Sequence, residues 1–292
     1  MEKENDHKIH VVLLPWLGFG HMMPFHQLAI ALAKAGVYVS YISTPKNIQR
    51  LPKPSPTLSP LIDFVPLPFP VLPSNSLPEG SEATFEISGD QSGSLAMAFD
   101  LLKQPFKQFV SNHSPNYIII DFHPHWATDI ARDCRIPLLT FSAFSAATKV
   151  FFGPLEYLTG DGQKRDRSTI ESLTCKPKWV SFPSKVFYRK FEAMGALVGF
   201  YGSHGGAISG SQRVAKAIMG SEAVFIRSCR EIEGEYLSLF EKLIGKPVIP
   251  VGLLPLEKPK QREIISSSDD DDDGSTNKNP NRLCLLGLGS FG

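Results

Sequence analysis

The chain has 292 residues, 42% of them apolar, with 30 Lys and Arg against 29 Asp and Glu for a formal charge of +1. That length supports one large or two medium domains with a full core, and the even charge balance leaves no concentrated basic face, which argues against nucleic acid as a partner. Cys134, Cys175, Cys229 and Cys284 stand far apart without C-x-x-C spacing, the start MEKENDHKIH is unlike a signal peptide, and no apolar run reaches the ~20 residues of a membrane span, so a soluble cytoplasmic protein with neither a disulfide framework nor a thiolate metal site is expected.

Ile9 to Leu14 is an apolar run that reads as a strand, followed by the turn Gly18-Phe19-Gly20 and then His21. Pro24 to Ala35 reads as a helix closed by Gly36, Val37 to Ser43 as a second strand and Leu61 to Leu67 as a third. The proline-rich stretch Pro66 to Gly80 reads as a stiff surface loop bordering a pocket. A helix is expected over Leu95 to Val110, a buried strand over Asn116 to Asp121, an amphipathic segment over His125 to Cys134 and a strand over Ile136 to Phe141. Residues 142–220 carry helical patches interrupted by CKPKW and GFYGSHGGAISG and follow no clear pattern. Order returns with a strand over Glu222 to Ser228, a helix over Glu233 to Leu243 and a short strand over Pro247 to Gly252.

Near-continuous apolar runs separated by helices indicate an α/β fold, a Rossmann-like doubly wound parallel sheet covered on both faces. The block SSSDDDDDGSTNKNPN repels itself and has nothing to bury. The chain therefore divides into a domain over 1–255, an acidic and polar flexible linker over 256–282, and the start of a second domain over 283–292.

Several motifs suggest chemistry and then lack a part of it. Gly18-Phe19-Gly20 is half of a dinucleotide fingerprint, with Met23 where the third glycine belongs, which weakens an oxidoreductase reading. There is no GxxxxGK, and SHGGA has no GxSxG nucleophile elbow to serve. His123 and His125 flank Pro124 close to Asp121, but no third or fourth ligand stands at metal spacing, so no metal is expected. His21 and Asp121 are joined by topology instead. In a sheet of order 3-2-1-4-5 the first and fourth strands are neighbours, and both residues lie just past the carboxyl ends, where such sheets bind ligands. A histidine near a helix N-terminus stays neutral more readily, and a carboxylate orients its ring and stabilises the imidazolium. The two residues alone fit either a general base with its partner or a structural histidine beside a capping carboxylate.

HVVLLPWLGFGHMMPFHQLAIALAKAGVYVSYISTPKNIQRL resembles the opening of plant family-1 UDP-sugar-dependent glycosyltransferases, in particular the rhamnosyltransferase-like branch that adds sugar to sugar. DFHPHWATDIARDCRIPLLTFSAFSAAT, PKWVSFPS and VFIRSCREIEGEYLSLFEKLIGKPVIPVGLLP resemble later landmarks of the same half-protein, so the likeness runs from Ile9 to about Leu256. It implies the N-terminal lobe of a two-lobed GT-B enzyme that inverts the anomeric centre, with no resident cofactor and a UDP-sugar as co-substrate. By motif, His21 takes the role of the base on the acceptor hydroxyl and Asp121 of its partner. Ser142 falls where the family sets a small hydroxyl against the donor sugar, and Ser290 resembles the hydroxyl that meets the donor phosphates. Phe19, Phe122, Phe141 and Phe144 are either walls for a flat acceptor, such as a flavonoid or terpenoid glycoside, or ordinary core. The family's HCGWNS-like donor signature is absent from these 292 residues, since Trp16, Trp126 and Trp179 are the only tryptophans and none has that context. The expectation is an acceptor-binding half that takes up donor only with a C-terminal domain and is inactive alone. A non-catalytic small-molecule binding module is the alternative.

Overall fold

Residues of alternating orientation build the sheet that everything else is mounted on. In β1 (His10–Leu14) Val12 and Leu14 point to one face and Val11 and Leu13 to the other, and all four are buried. β4 (Tyr117–Ile120) divides the same way, with Ile118 and Ile120 against Ile119. Burial on both faces requires helices on both, and parallel strands require crossovers to supply them. The computed structural model describes residues 9–70, 72, 76–159, 167, 169–202 and 208–254. The expected linker at 256–282, the expected second-domain start at 283–292 and Ser290 lie outside them.

In chain order, β1 is followed by α1 (Phe19–Lys34), β2 (Tyr38–Ser43), α2 (Pro45–Arg50), β3 (Ile62–Pro66), α3 (Ser92–Asp100), α4 (Lys103–His113), β4 and α5 (Ala127–Cys134). Then come β5 (Leu138–Ser142), α6 (Ala146–Phe152), α7 (Leu155–Thr159), α8 (Ile170–Leu173), α9 (Lys190–Ala196), α10 (Gly210–Gly220), β6 (Ala223–Ile226), α11 (Arg230–Ile244) and β7 (Val248–Pro250). The seven strands form one parallel sheet of order β3-β2-β1-β4-β5-β6-β7, so the expected 3-2-1-4-5 order is present and extended by two strands. α1 covers one face through Met22, Phe25 and Leu28, while α3, α4 and α5 cover the other through Leu95, Phe99, Phe106 and Ile130. A third cluster gathers α6, α10 and α11 around β6 and β7.

Two helices depart from the sequence expectation, each through a proline. α1 begins at Phe19, more than a turn before Pro24, because the Gly18 carbonyl already accepts the His21 and Met22 amides at 2.9 and 2.8 Å. Pro24 cannot donate to the Gly20 carbonyl, and Gly20 is exposed, so that carbonyl is open to solvent. The expected single helix over Leu95 to Val110 is two, broken at Leu101 and Leu102. Pro105 lies in the first turn of α4, where a missing amide costs nothing, whereas in a continuous helix its ring would meet the carbonyl four residues back.

Residues 142–220 resolve into short helices held by capping rather than by length. Ser145, Thr169 and Ser209 each accept an amide of the helix they precede. Between α6 and α7, Gly153 has φ of +97°, and Trp179, held by its indole N–H to the Val150 carbonyl at 2.7 Å, lies where a Cβ would stand, 2.4 Å from its nearest ring carbon. Gly153→Ala is therefore expected to destabilise the chain by about 2–4 kcal/mol, through strain and overpacking together. Gly36→Ala, at φ of +83° with open space around it, should cost only about 1 kcal/mol. Urea unfolding midpoints of the two variants check this, and equal losses would remove Trp179 from the explanation.

Candidate active site

The carboxyl edge of β1 and β4 sets the centre of the site. Leu14 is in register with Ile120, and the ladder runs one step further through the Asp121 amide, which donates to the Leu14 carbonyl at 3.1 Å. The Asp121 side chain is thereby brought under the turn that follows β1. There Oδ2 accepts the Trp16 amide at 3.2 Å and Oδ1 accepts the Phe122 amide at 2.7 Å. The third donor is His21, in the first turn of α1, whose Nδ1 lies 2.7 Å from Oδ2.

Asp121 is 2% exposed. Burial opposes its ionisation, yet the charge and hydrogen bond of His21 and the amides of Phe122 and Trp16 together hold its carboxyl below the ordinary value. An ionised carboxylate only accepts, so His21 donates from Nδ1, and a neutral ring in that tautomer carries its lone pair on Nε2. The ring is 15% exposed and is flanked by two aromatic neighbours, Phe144 with centroids 5.2 Å apart and Phe122 at 5.6 Å. At Gly18 a Cβ would crowd the Thr84 hydroxyl at 3.2 Å and would meet the His21 ring only in ordinary contact at 3.5 Å.

The other candidates divide. Phe122 and Phe144 are partly buried beside His21. Phe19 packs edge-on to Phe85 at 5.3 Å, outside this aromatic pair. Phe141 is corrected to core: it is fully buried and meets Phe25 of α1 edge-on at 4.9 Å, because the alternation of β5 turns it to the α1 face. Ser142, expected against a donor sugar, is 3% exposed and its hydroxyl donates to the Phe144 carbonyl at 3.1 Å, closing the turn into α6.

Sequence reasoning missed two contributions. His123 stacks on Trp16 with centroids 3.4 Å apart, and burial, then the Arg213 charge, hold it neutral, well below its ordinary value. Arg213 of α10, 1% exposed, grips Asp100 of α3 with two bonds of 2.8 and 2.6 Å and donates to the His123 carbonyl at 3.0 Å, so two helices anchor the loop after β4. The second is Lys149 of α6, whose ammonium lies 5.4 Å from the Phe144 centroid and 5.9 Å from that of Phe122. Burial draws it down to about 8, against the opposing effect of the Asp121 charge. A lysine inside the apolar run ATKVFF was the available signal.

Comparisons with known proteins place the chain in a family. No protein-family model matches the chain. It is 40% identical over 255 residues to UDP-glycosyltransferase 91C1 of Arabidopsis thaliana, covering 87% of this chain and 54% of that protein. It is 33% identical over 253 residues to soyasaponin III rhamnosyltransferase of Glycine max, covering 87% and 52%. It is also 30% identical over 251 residues to a Glycine max protein named inactive UDP-glycosyltransferase 79A6, covering 86% of this chain and 76% of that one. The chain belongs to the plant UDP-glycosyltransferases. It spans about half the length of the first two relatives. The solved structure of Arabidopsis thaliana UGT89C1 with UDP-L-rhamnose superposes with a TM-score of 0.58 at 19% identity, over 86% of this chain and 53% of that one. The fold is thus the Rossmann-like N-terminal lobe of a GT-B glycosyltransferase. Among the described residues no helix is long and apolar enough to cross a membrane.

In this glycosyltransferase lobe the lowered Asp121 value has a thermodynamic consequence with a definite sign. A carboxyl that ionises more readily folded than unfolded adds stability that is complete above the unfolded value, about pH 4, and is lost as pH falls through the lower folded value. Urea unfolding between pH 7 and pH 2 should show Asp121→Asn less stable than the parent at pH 7, with the gap narrowing below pH 4. A constant gap across that range would mean that the charge of Asp121 contributes nothing.

Proposed function

We propose that this chain provides the acceptor half of an inverting UDP-sugar transferase acting on a hydroxyl of a small glycoside, with His21 as general base and Asp121 as its partner. One observation carries the reading: the 2.7 Å hydrogen bond from His21 Nδ1 to a buried, ionised carboxylate at the carboxyl edge of the sheet. It fixes the tautomer, aims Nε2 outward and supplies a negative charge to the imidazolium that proton transfer creates.

The chemistry is a single displacement. The acceptor oxygen attacks the anomeric carbon opposite the diphosphate, its proton passes to Nε2, the bond from the anomeric carbon to the phosphate oxygen breaks, and UDP leaves with the electron pair. Phe122 and Phe144 supply the apolar walls beside the base, and the UDP-sugar enters as co-substrate with no resident cofactor. Because the chain spans about half the length of its relatives, transfer belongs to the longer protein, and holding the uridine and stabilising the departing diphosphate fall to the other half. Flavonoid and terpenoid glycosides fit the flat aromatic walls.

A second reading, a non-catalytic binding module, is favoured by one finding, the similarity to a relative named as inactive of which this chain covers 76%. Assay separates the two. When the chain is joined to the C-terminal lobe of a 40%-identical relative, transfer from UDP-glucose or UDP-rhamnose is expected, and His21→Ala should lower kcat by ~10²- to 10⁴-fold with little change in KM. Activity within a few fold of the parent would remove His21 as base, and no activity in any chimera that binds acceptor would favour the module. The 292 residues alone are expected to form no glycosylated product detectable by mass spectrometry, because in-line positioning worth ~7–11 kcal/mol needs both reactants held.

A further inference from the structure

Lys149 is a cation that shares two aromatic neighbours with His21 and has no counter-ion among the described residues. No carboxylate, carbonyl or hydroxyl among the described residues bonds its ammonium, which lies over the faces of Phe144 and Phe122. Asp121 acts on it through its charge alone, and both of its oxygens are already engaged, Oδ2 by His21 and Trp16 and Oδ1 by Phe122. Glu233, the other carboxylate near α6, is occupied too: it accepts the Ala146 and Ala147 amides at 3.0 and 2.9 Å and the Ser228 hydroxyl. Those bonds fix the first turn of α6 and therefore the position of Lys149 one turn later.

Two aromatic rings hold the ammonium by their faces, an attraction that strengthens as water is withdrawn. They do not neutralise it. Burial already acts against its charge, so an anion arriving there relieves a cost as well as forming a charge-assisted hydrogen bond. Phe144 touches both the ammonium and the His21 ring. The separation of cation and base is thus limited to the two contacts across that ring, a span of one or two sugar rings.

We propose that Lys149 binds a carboxylate of the acceptor, so that the preferred acceptor is an acidic glycoside of the kind a uronic acid presents, with its reactive hydroxyl at His21. This rests on the reading of the cleft as an acceptor site, and deepens it. The test is calorimetric titration of the 292-residue chain with quercetin 3-O-glucuronide and quercetin 3-O-glucoside, a pair that differs at one sugar carbon, carboxylate against hydroxymethyl. The glucuronide is expected to bind ~10-fold more tightly at pH 7. Lys149→Met should bring it down to the level of the glucoside, and Lys149→Arg should keep most of the preference, with circular dichroism showing both variants folded. Equal affinities in the parent, or a preference that survives in Lys149→Met, would overturn the assignment while leaving the acceptor cleft intact. Tight UDP binding that Lys149→Met abolishes, with both glycosides unaffected, would overturn it in favour of the donor diphosphate. If the folded parent bound neither glycoside, the acceptor-site reading would fall and the assignment with it.

Discussion

A carboxylate 2% exposed has to find donors within the fold, and the three that Asp121 finds determine the local architecture. One is the Trp16 amide, which sets the path of the chain as it leaves β1. Another is the amide of Phe122, at the point where the chain leaves β4 and the Phe122 ring comes beside that of His21. The third is His21, which reaches Asp121 only because α1 starts at Phe19, and that start depends on the Gly18 carbonyl. Each donor lost would leave a buried charge short of a partner, a loss of several kcal/mol when the partner is ionic. Turn, helix start and base position are therefore one solution to one electrostatic requirement.

The strands were legible because a strand buried on both faces must be apolar throughout, and each expected run became a strand with its ends shifted by at most two residues. The nearness of His21 and Asp121 was legible for the same reason: sheet order fixes which carboxyl ends are neighbours, whatever the side chains do. Pro24 misled the helix start, since a proline at the first helical position and one inside a helix look alike in sequence. Phe141 and Phe144 lie three residues apart and meet opposite fates. The first sits inside β5, where alternation sends it into the core; the second lies past the strand end, where only the turn closed by Ser142 decides its direction. Turns of that kind depend on single hydrogen bonds, which no periodicity records. The grip of Arg213 on Asp100 is invisible for a related reason, since it joins helices 113 residues apart through an irregular region.

Charge in the cleft can be followed through the proposed reaction. The proposed cycle starts from a neutral imidazole facing the negative charge of Asp121, and the ammonium of Lys149 stands over two rings shared with that imidazole. As the proton moves to Nε2, Asp121 gains an ion pair and the transition state is stabilised. Lys149 acts in the opposite sense, because a second cation nearby disfavours imidazolium. A base placed beside an uncompensated ammonium works against itself with a neutral acceptor.

An acidic acceptor removes that opposition. Its carboxylate pairs with Lys149, lowers the positive potential felt by His21 and so makes proton transfer easier in the same event that binds the substrate. Interactions that improve the transition state beyond the ground state raise kcat rather than merely lowering KM. Selectivity for an acidic glycoside would then reside partly in turnover, with the acceptor completing the electrostatics of a site whose own carboxylates are already engaged. Asp121 and Glu233 remain fixed to backbone amides, whereas the carboxylate of an acidic substrate is free to move to Lys149.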